Sequence, residues 1–377
     1  MPYGKIKRVK LLQNAGYIEM YNNYMVSLEQ IQAALERSQN PNDENTKKLQ
    51  QQLEQMEQQN LVKPHHRGCG YIDFEKVEEA QMALQSMNNK IISGKSLKVR
   101  MGTWRLTGSE CEKALKDGYD VGFRLFDSAS MYDNEQDIYT GLKKAKIEPS
   151  HIIIQSKLLP ENHGYESTGR AFEESWKNIT KGERPLDVYL IHWPGTNQCG
   201  LKKTPSKIRR ETWKKMEEVY RQDKVRAIGV SNYEIKHLEE FYLNDQNIDI
   251  FPSINQIELH PKLNQKSIVD YCQQRNIIVE AYMPFGEGNL ISDKYLKKIS
   301  ESLQKPSHGP VTVPQMLLRY YIQRKIVPLP KSQNIIHLQQ NANVFNFELD
   351  ENEMEILNRF QSEHGTQRFD WDPSRVN

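Results

Sequence analysis

The segment 225–260 contains three pieces in order: VRAIGVSN (225–232), IKHLEEFYL (235–243) and SINQIELH (253–260). The outer two are short apolar runs that end in polar side chains, whereas the middle piece has the apolar spacing of a helix. Nearly continuous apolar strands separated by helices are typical of a parallel sheet that is covered by helices. This segment therefore predicts one strand–helix–strand unit of an α/β protein.

The same alternation extends from about residue 100 to residue 331. The strand-like runs are RMGTWRL, RLFDSA, HIIIQSK, LDVYLIHW, VRAIGVSN, SINQIELH, IIVEAYMP and KIVPLPK, with helical patterns such as ECEKALKDGYDV between them. Eight such units predict a (β/α)8 TIM barrel at residues 101–377. A doubly wound sheet is the rival topology, but it needs a glycine-rich GxGxxG turn after its first strand, and the sequence has none.

Composition narrows the class of protein. The 377 residues carry a formal net charge of +2 and a pI of about 8.1, which is too balanced to require a nucleic acid or an anionic membrane as partner. The 4 cysteines lie far apart without a CxxC pair, so they predict neither a metal site nor a disulfide framework. No signal peptide and no membrane span is predicted. We therefore expect a cytoplasmic protein without a membrane partner.

Polar side chains lie where many of the predicted strands end. They are Asp127, Lys157, His192, Ser231, Asn232, Gln256, Tyr282, Lys331 and Ser332. In a barrel the carboxyl ends of all strands meet at one face, where the active site forms. The sequence therefore predicts that these side chains line one site.

Four residues of this face carry acid–base chemistry: Asp127, Tyr132, Lys157 and His192. Each has an ordinary structural explanation when taken alone, such as a turn cap or a buried ion pair. Together, Lys157 would lower the pKa of Tyr132, Asp127 would hold Lys157, and a neutral His192 would orient a substrate oxygen. The set is suited to protonating a carbonyl oxygen while another group attacks the carbonyl carbon.

From about Met101 to the C-terminus the chain resembles the aldo-keto reductases. The resemblance runs through GTW, GFRLFDSASMYDNE, IIIQSKLL, YLIHWP, VRAIGVSNY, NQIELHP, EAYMPFG and PLPKS. It implies a catalytic tetrad of Asp127, Tyr132, Lys157 and His192, with Tyr132 as the general acid. It also implies hydride transfer from NADPH to an aldehyde or ketone.

The resemblance further implies which residues bind NADPH. They are Gly102, Thr103, Asp127, Ser231, Asn232, Gln256, Tyr282, Met283, Phe285, Lys331, Ser332, His337, Gln340 and Asn341. In this set Ser231, Asn232 and Gln256 hold the nicotinamide carboxamide, and Tyr282 stacks on the nicotinamide ring. Lys331 and Ser332 belong to the adenine end, where the 2′-phosphate of NADP is bound.

Three positions depart from the family pattern. His337 stands where the family usually has an arginine on the 2′-phosphate, which weakens the preference for NADPH and leaves NADH as an alternative cofactor. Met283 replaces a small hydroxyl residue near the pyrophosphate, and Tyr139 replaces a glycine. None of the three belongs to the tetrad.

The substrate pocket is expected to have aromatic walls. Trp104 and Trp193 are predicted to line it together with the substrate-contacting residues Tyr132 and His192. The segment that follows Trp193 is short compared with the long insertion of many family members, which predicts an open mouth. The residues do not identify the natural carbonyl substrate.

Residues 1–100 resemble parts of RNA-recognition motifs, with a Gln/Asn-rich linker at about 40–62. RGCGYIDF follows the longer ribonucleoprotein signature and retains Tyr71 and Phe74 as aromatic positions. IISGKSLKVRM fits either the last strand of such a motif or a hairpin that closes the barrel bottom. RNA or a protein partner could bind here, so an alternative hypothesis is an RNA-binding or assembly protein that uses the barrel as a scaffold or cofactor sensor.

Overall fold

The computed structural model describes residues 6–12, 69–74, 100–196, 204–242, 248–305 and 309–376. The chain divides into two compact units, residues 6–73 and residues 1–5 with 74–377. Strands β1 (Ile6–Leu12) and β2 (Cys69–Phe74) form a two-stranded sheet. The predicted linker at 40–62 and residues 91–99 of IISGKSLKVRM lie outside the described residues.

Eight parallel strands form the main sheet of the larger unit. They are β3 (Arg100–Gly102), β4 (Leu125–Asp127), β5 (Ile153–Leu158), β6 (Val188–Ile191), β7 (Ile228–Ser231), β8 (Ile254–Glu258), β9 (Ile278–Tyr282) and β12 (Val327–Pro328). Their order in the sheet is β12-β9-β8-β7-β6-β5-β4-β3. Two further strands, β10 (Gln304–Lys305) and β11 (Gly309–Pro310), pair separately as a small antiparallel hairpin.

The sheet closes on itself between its first and last strands. The backbone N–H of Gly102, at the end of β3, donates to the carbonyl oxygen of Pro330 at 3.1 Å, just after β12. Each barrel strand pairs with the next one along the chain, so the order reversal of a doubly wound sheet does not occur among the described strands. The prediction of a (β/α)8 barrel is confirmed.

Helices alternate with the barrel strands and cover the sheet. They are α1 (Gly108–Val121), α2 (Glu135–Lys144), α3 (Tyr165–Thr180), α4 (Pro205–Arg221), α5 (Ile235–Glu239), α6 (Lys266–Gln274), α7 (Lys294–Ser302), α8 (Val313–Gln323), α9 (Ile335–Ala342) and α10 (Glu351–His364). Several of these helices begin at residues that cap the helix N-terminus. Thr312 and Gln315 form a capping box at α8, and Asp350 and Glu353 form another at α10.

Close packing between helices and strands explains why the barrel strands are almost wholly buried. All residues of β4, β6 and β7 are buried, as parallel strands covered on the outer face require. Helix α1 approaches the sheet at Gly118, where an added Cβ would lie only 2.7 Å from the Met101 sulfur. A larger residue at this position would require the Met101 side chain to move. Within the described residues, no helix is long and apolar enough to cross a lipid bilayer.

Candidate active site

The predicted catalytic residues meet at the carboxyl ends of adjacent strands. Asp127 is the last residue of β4, Lys157 lies near the end of β5, and His192 directly follows β6. Tyr132 ends a single 3₁₀ turn (Ser130–Tyr132) that follows β4. Because β4, β5 and β6 are neighbours in the sheet, residues far apart in the chain become one cluster.

Lys157 is the buried centre of this cluster. Its side chain is fully buried, and its Nζ donates to Asp127 Oδ2 at 2.7 Å and to the Ser128 carbonyl oxygen at 2.8 Å. A third bond from the same nitrogen reaches the Tyr132 hydroxyl oxygen at 3.2 Å. An ammonium group has three N–H bonds and no lone pair. All three are used, so Lys157 is fixed, and the Tyr132 hydroxyl accepts from it and keeps its own proton for another partner.

The Tyr132 phenol is held in its protonated form. Burial, together with the carboxylates of Asp127 and Asp370, raises the pKa of Tyr132 well above its ordinary value of 10.0. The net shift of this pKa is therefore opposite to the lowering that the sequence led us to expect from Lys157. Desolvation and two negative charges outweigh the single ammonium. A phenol that stays protonated at neutral pH is the state that a proton donor needs.

His192 faces Tyr132 and is neutral. The two ring centroids lie 5.8 Å apart, with the ring planes at 75°. Burial lowers the pKa of His192 well below its ordinary value of 6.5, and the Lys157 ammonium lowers this pKa further. Its Nδ1 is buried and has no hydrogen-bond partner among the described residues. The neutral ring expected from the sequence is therefore consistent with its surroundings.

Asn134 fixes the loop that carries Tyr132, a role that we did not predict from the sequence. Its side chain is fully buried, its Oδ1 accepts from Ser128 Oγ at 2.6 Å, and its Nδ2 donates to the carbonyl oxygens of Thr103 and Leu106 at 3.0 and 2.8 Å. It thereby ties the loop after β4 to the loop after β3. A polar residue inside the motif SMYDNE was the available signal.

Comparisons with known proteins agree with this geometry. The model of the Aldo/keto reductase family matches residues 98–361, which is most of the chain. The chain belongs to the aldo/keto reductase family. The model of the RNA recognition motif matches residues 38–98, a segment that includes the Gln/Asn-rich tract.

Individual relatives of this aldo/keto reductase are matched over most of their own length. It is 35% identical to the glyoxal reductase of Bacillus subtilis (strain 168) over 66% of this chain and 83% of the relative. It is 34% identical to the 9,11-endoperoxide prostaglandin H2 reductase of Trypanosoma cruzi (strain CL Brener) over 70% of this chain and 87% of that protein.

Solved structures of the family are similar as well. MGS-M4, an aldo-keto reductase from a Medee basin deep-sea metagenome, matches with a TM-score of 0.64 at 30% identity, over 77% of this chain and 98% of that one. A point mutant of Gox0644 in complex with NADPH matches with a TM-score of 0.63 at 31% identity, over 74% of this chain and 94% of that one. This protein is an NAD(P)H-dependent oxidoreductase that reduces aldehydes or ketones to alcohols.

The residues predicted for the nicotinamide end of the reductase lie together. Tyr282 ends β9, and its hydroxyl lies 2.8 Å from Asn232 Oδ1, while Asn232 Nδ2 donates to the His192 carbonyl oxygen at 3.0 Å. Ser231 Oγ donates to the Gln256 carbonyl oxygen at 2.8 Å. Amide, hydroxyl and aromatic groups beside the tetrad are the donor set that a nicotinamide carboxamide and ring require.

Gln256 has a different environment from the one expected. Its Nε2 donates to Asp127 Oδ1 at 3.1 Å and to Glu280 Oε2 at 2.8 Å, inside the barrel. Both N–H bonds of the amide are therefore used by carboxylates, and only its Oε1 is available to accept from another group. Asp127, predicted for both catalysis and cofactor contact, is held by Gln256 as well as by Lys157.

The predicted residues of the adenine end follow β12 and continue into α9. Lys331 and His337 are exposed, Ser332 and Gln340 are half-buried, and Asn341 is buried. Gly102 closely approaches this segment, since an added Cβ there would lie 3.7 Å from Lys331 Cβ. Gly102, the first residue predicted to contact the cofactor, therefore lies beside the residues predicted to bind the adenine end of the cofactor.

Two further positions predicted for cofactor binding lie after β9. Met283 has a positive φ of 50°, in the left-handed region that side chains other than glycine, asparagine and aspartate seldom adopt. Phe285 is buried and packs into the hydrophobic core. Thr103 follows β3, where its Oγ1 donates to the Asp127 carbonyl oxygen at 2.8 Å.

Trp104 and Trp193, which we predict to line the pocket, make aromatic contacts close to the tetrad, and one of these contacts is with a residue that the sequence did not single out. Trp104 packs on Tyr132 with ring centroids 4.8 Å apart, and Trp193 meets Trp371 edge to face. Trp371 is 66% exposed and belongs to the C-terminal segment that lies over the barrel end. Its contribution was missed because chain position alone does not show where a C-terminal segment lies.

The carboxylate of Asp370 in the same segment enters the site, which was also not predicted. Its Oδ2 lies 3.0 Å from the Tyr282 hydroxyl, and its charge raises the pKa of Tyr132 and Tyr282. The backbone N–H groups of Phe369 and Asp370 donate to the buried Glu258 carboxylate at 2.7 and 3.1 Å. Glu258 thus anchors the segment at the end of β8.

Proposed function

We propose that Tyr132 is the general acid of carbonyl reduction and that Asp127, Lys157 and His192 support it. The contact of Lys157 Nζ with the Tyr132 hydroxyl at 3.2 Å carries this proposal. It leaves the phenol proton directed away from Lys157, toward whatever oxygen lies in the pocket. Bound NADPH supplies the hydride that the carbonyl carbon receives.

The residues of the tetrad have separate tasks in this scheme. As negative charge develops on the substrate oxygen, Tyr132 donates its proton to that oxygen. The phenolate that remains lies beside the Lys157 ammonium, which stabilises it in a site that excludes most water. Asp127 holds Lys157 at 2.7 Å and compensates its charge in the interior. Neutral His192 hydrogen-bonds the substrate oxygen and orients the carbonyl group.

The direct test is NADPH oxidation, followed through the absorbance of the reduced nicotinamide with a reactive aromatic aldehyde. Tyr132→Phe is expected to lose about 10²- to 10⁴-fold in kcat, as for loss of a general acid. NADPH binding, measured by quenching of tryptophan fluorescence, should be retained. Tyr295→Phe is a matched control, because Tyr295 is exposed and stacks on His364 instead of the tetrad. A Tyr132→Phe protein with undiminished turnover would exclude this role.

The substrate proposed from the pocket is a small aldehyde or dicarbonyl compound, with aromatic aldehydes also accepted. Trp104 lies against Tyr132, so a flat substrate would contact an indole face next to the proton donor. The Bacillus subtilis relative is a glyoxal reductase, which supports a test with small dicarbonyl compounds first. We also place the reaction in the cytoplasm, because Cys111 and Cys272 are buried free thiols.

For the cofactor, we propose that NADPH is preferred over NADH by a smaller margin than an arginine would give. Lys331 supplies an exposed cation near the adenine end, while His337 on α9 is exposed and titratable. A neutral imidazole offers one N–H donor to a phosphate, whereas a guanidinium offers a charged fork. NADH is therefore expected to support measurable turnover.

RNA binding by the N-terminal part is a second candidate function. It is supported by the RNA recognition motif match at residues 38–98 and by the strand β2, which contains the sequence CGYIDF. Fluorescence anisotropy with labelled single-stranded RNA and the full chain would test it. Specific binding should weaken with salt and fall in Tyr71→Ala. Equal binding by the variant would indicate only nonspecific attraction.

A further inference from the structure

Two buried carboxylates face each other inside the barrel across two amide groups. Gln155 Nε2 donates to Asp127 Oδ1 at 2.7 Å and to Glu280 Oε2 at 2.7 Å. Gln256 Nε2 makes the same pair of contacts, at 3.1 and 2.8 Å. Each amide nitrogen therefore gives one N–H to each carboxylate, which is the full donor capacity of both groups.

These groups come from four different strands. Asp127 lies on β4, Gln155 on β5, Gln256 on β8 and Glu280 on β9, and none of the four residues is more than 4% exposed. This bridge of two carboxylates and two amides, made by Asp127, Gln155, Gln256 and Glu280, therefore spans the barrel interior behind the tetrad. Carboxylates only accept hydrogen bonds, so the amide orientation follows from their chemistry.

The charges of the bridge are balanced at both ends. Asp127 is paired with Lys157, and Glu280 forms an ion pair with Arg100, whose side chain is 10% exposed. Removing one partner of a buried ion pair leaves an uncompensated charge in the low-dielectric interior, where electrostatic interactions extend further than in water. A change at Arg100 or Glu280 therefore alters the potential at Asp127 and Lys157 without touching either residue.

We propose that Arg100, Glu280 and Gln155 are positioning residues for the reductase, which hold Asp127 in line with Lys157 and balance the charge behind the proton donor. The proposal rests on the proposed role of Tyr132. The charged and titratable groups around Tyr132 are Asp127, Lys157, His192 and Asp370. All four remain unchanged in the experiment below.

A charge cycle tests this proposal through the pH dependence of kcat/KM for aldehyde reduction. Glu280→Gln leaves the Arg100 cation unpaired, so Tyr132 and Lys157 lose protons more readily. The basic limb of the kcat/KM profile should therefore move to lower pH by about 1 unit. Arg100→Met leaves the Glu280 anion unpaired, so the basic limb should move up by about the same amount. The double variant, which removes both charges, should return to the wild-type midpoint.

The opposite signs separate a charge effect from simple damage to the fold. Arg100→Lys and Glu280→Asp retain both charges and should keep the wild-type midpoint. They remain informative if one of the charge-removing variants does not fold. Arg319→Met is the matched control, since it breaks a partly buried ion pair with Glu348 elsewhere in the molecule. Shifts of the same sign in both single variants, or no shift in either, would overturn the proposal.

A second measurement does not depend on turnover. In protein labelled with ¹³C at the tyrosine ring carbon that bears oxygen, the Tyr132 signal is identified by its loss in Tyr132→Phe. Because the pKa of Tyr132 lies well above 10.0, the onset of its titration is followed, and this onset should move to lower pH in Glu280→Gln and to higher pH in Arg100→Met. If the wild-type protein reduces no carbonyl compound, the proposed role of Tyr132 fails, while this titration still decides whether Arg100 and Glu280 act on it.

Discussion

Trp371 packs edge-on against Trp193, with ring centroids 6.0 Å apart and ring planes at 88°. The pair joins the segment near the C-terminus to the loop that follows β6, on the same face as the tetrad. Lys236 Nζ and the His237 ring bind the backbone oxygens of Ser374 and Val376 on the same segment, at 2.9 and 3.0 Å. The wall of the pocket is therefore built by contacts between distant parts of the chain.

Trp371→Ala should raise the KM for bulky aromatic aldehydes and leave the KM for a small aldehyde nearly unchanged. The loss of one aromatic contact of about 1 kcal/mol corresponds to about a fivefold higher KM. Steady-state kinetics with one bulky and one small aldehyde measures it, and the small substrate serves as the internal control. Equal KM increases for both would show that Trp371 holds the segment in place instead of contacting substrate.

Asn134→Ala should lower both stability and turnover. The substitution leaves the carbonyl oxygens of Thr103 and Leu106 without their buried donor, which costs about 2–4 kcal/mol of unfolding free energy. Because Tyr132 lies in the loop that Asn134 holds, kcat should fall about tenfold or more. Urea unfolding and steady-state kinetics measure the two effects. Asn289→Ala, which removes an amide bound to the nearby Gly286 carbonyl oxygen, should change neither by much.

His337→Arg should increase the preference for NADPH. A guanidinium is always charged and binds a phosphate with two parallel hydrogen bonds, so the ratio of kcat/KM for NADPH to that for NADH should rise about tenfold. The control is Gln339→Arg, which adds the same charge at another exposed position of α9. A similar rise of this ratio in the control would indicate a general effect of positive charge and would contradict a specific contact at position 337.

His163 predicts how stability depends on pH. The residue is fully buried, neither ring nitrogen has a hydrogen-bond partner among the described residues, and burial lowers the pKa of His163 to about 3. The unfolded chain binds a proton near pH 6.5, whereas the folded protein does so only near the lowered value. This histidine therefore destabilises the fold as pH falls from about 6.5 toward 3, by about 1.4 kcal/mol per pH unit.

The variant His163→Gln should flatten that decline. Urea unfolding at several pH values between about 7.5 and 4.5 measures the slope of unfolding free energy against pH. The matched control is His364→Gln on α10, where the ring stacks on Tyr295 at the surface. An unchanged slope in His163→Gln would mean that other groups, such as His192, account for the acid sensitivity.

The barrel could be predicted from the sequence because its signal is local and repeated. The strand that ends near Lys157, for example, begins with apolar, β-branched residues and is followed by a segment with helical periodicity. The polar residues at strand ends then follow from topology, because parallel strands place their carboxyl ends on one face. The family motifs added which residues of that face belong to the tetrad.

The remaining features of the site depend on contacts and burial, which chain position does not show. Asp370 reaches Tyr282 only because Glu258 anchors the C-terminal segment, and Glu280 reaches Gln155 only across the closed barrel. The net rise in the pKa of Tyr132 was not foreseen for the same reason, since desolvation is set by surrounding atoms. The boundary near residue 100 remains a prediction.

The hydrogen bond from the Gly102 N–H to the Pro330 oxygen also determines when the barrel becomes a closed body during synthesis. Before Pro330 has left the ribosome, β3 has no partner on one side, and the newest strand is open on the other. Open edges present unpaired N–H and C=O groups that other chains can bind. The nascent barrel therefore exposes two open strand edges until its last strand has been made, and the contact at Pro330 then joins them.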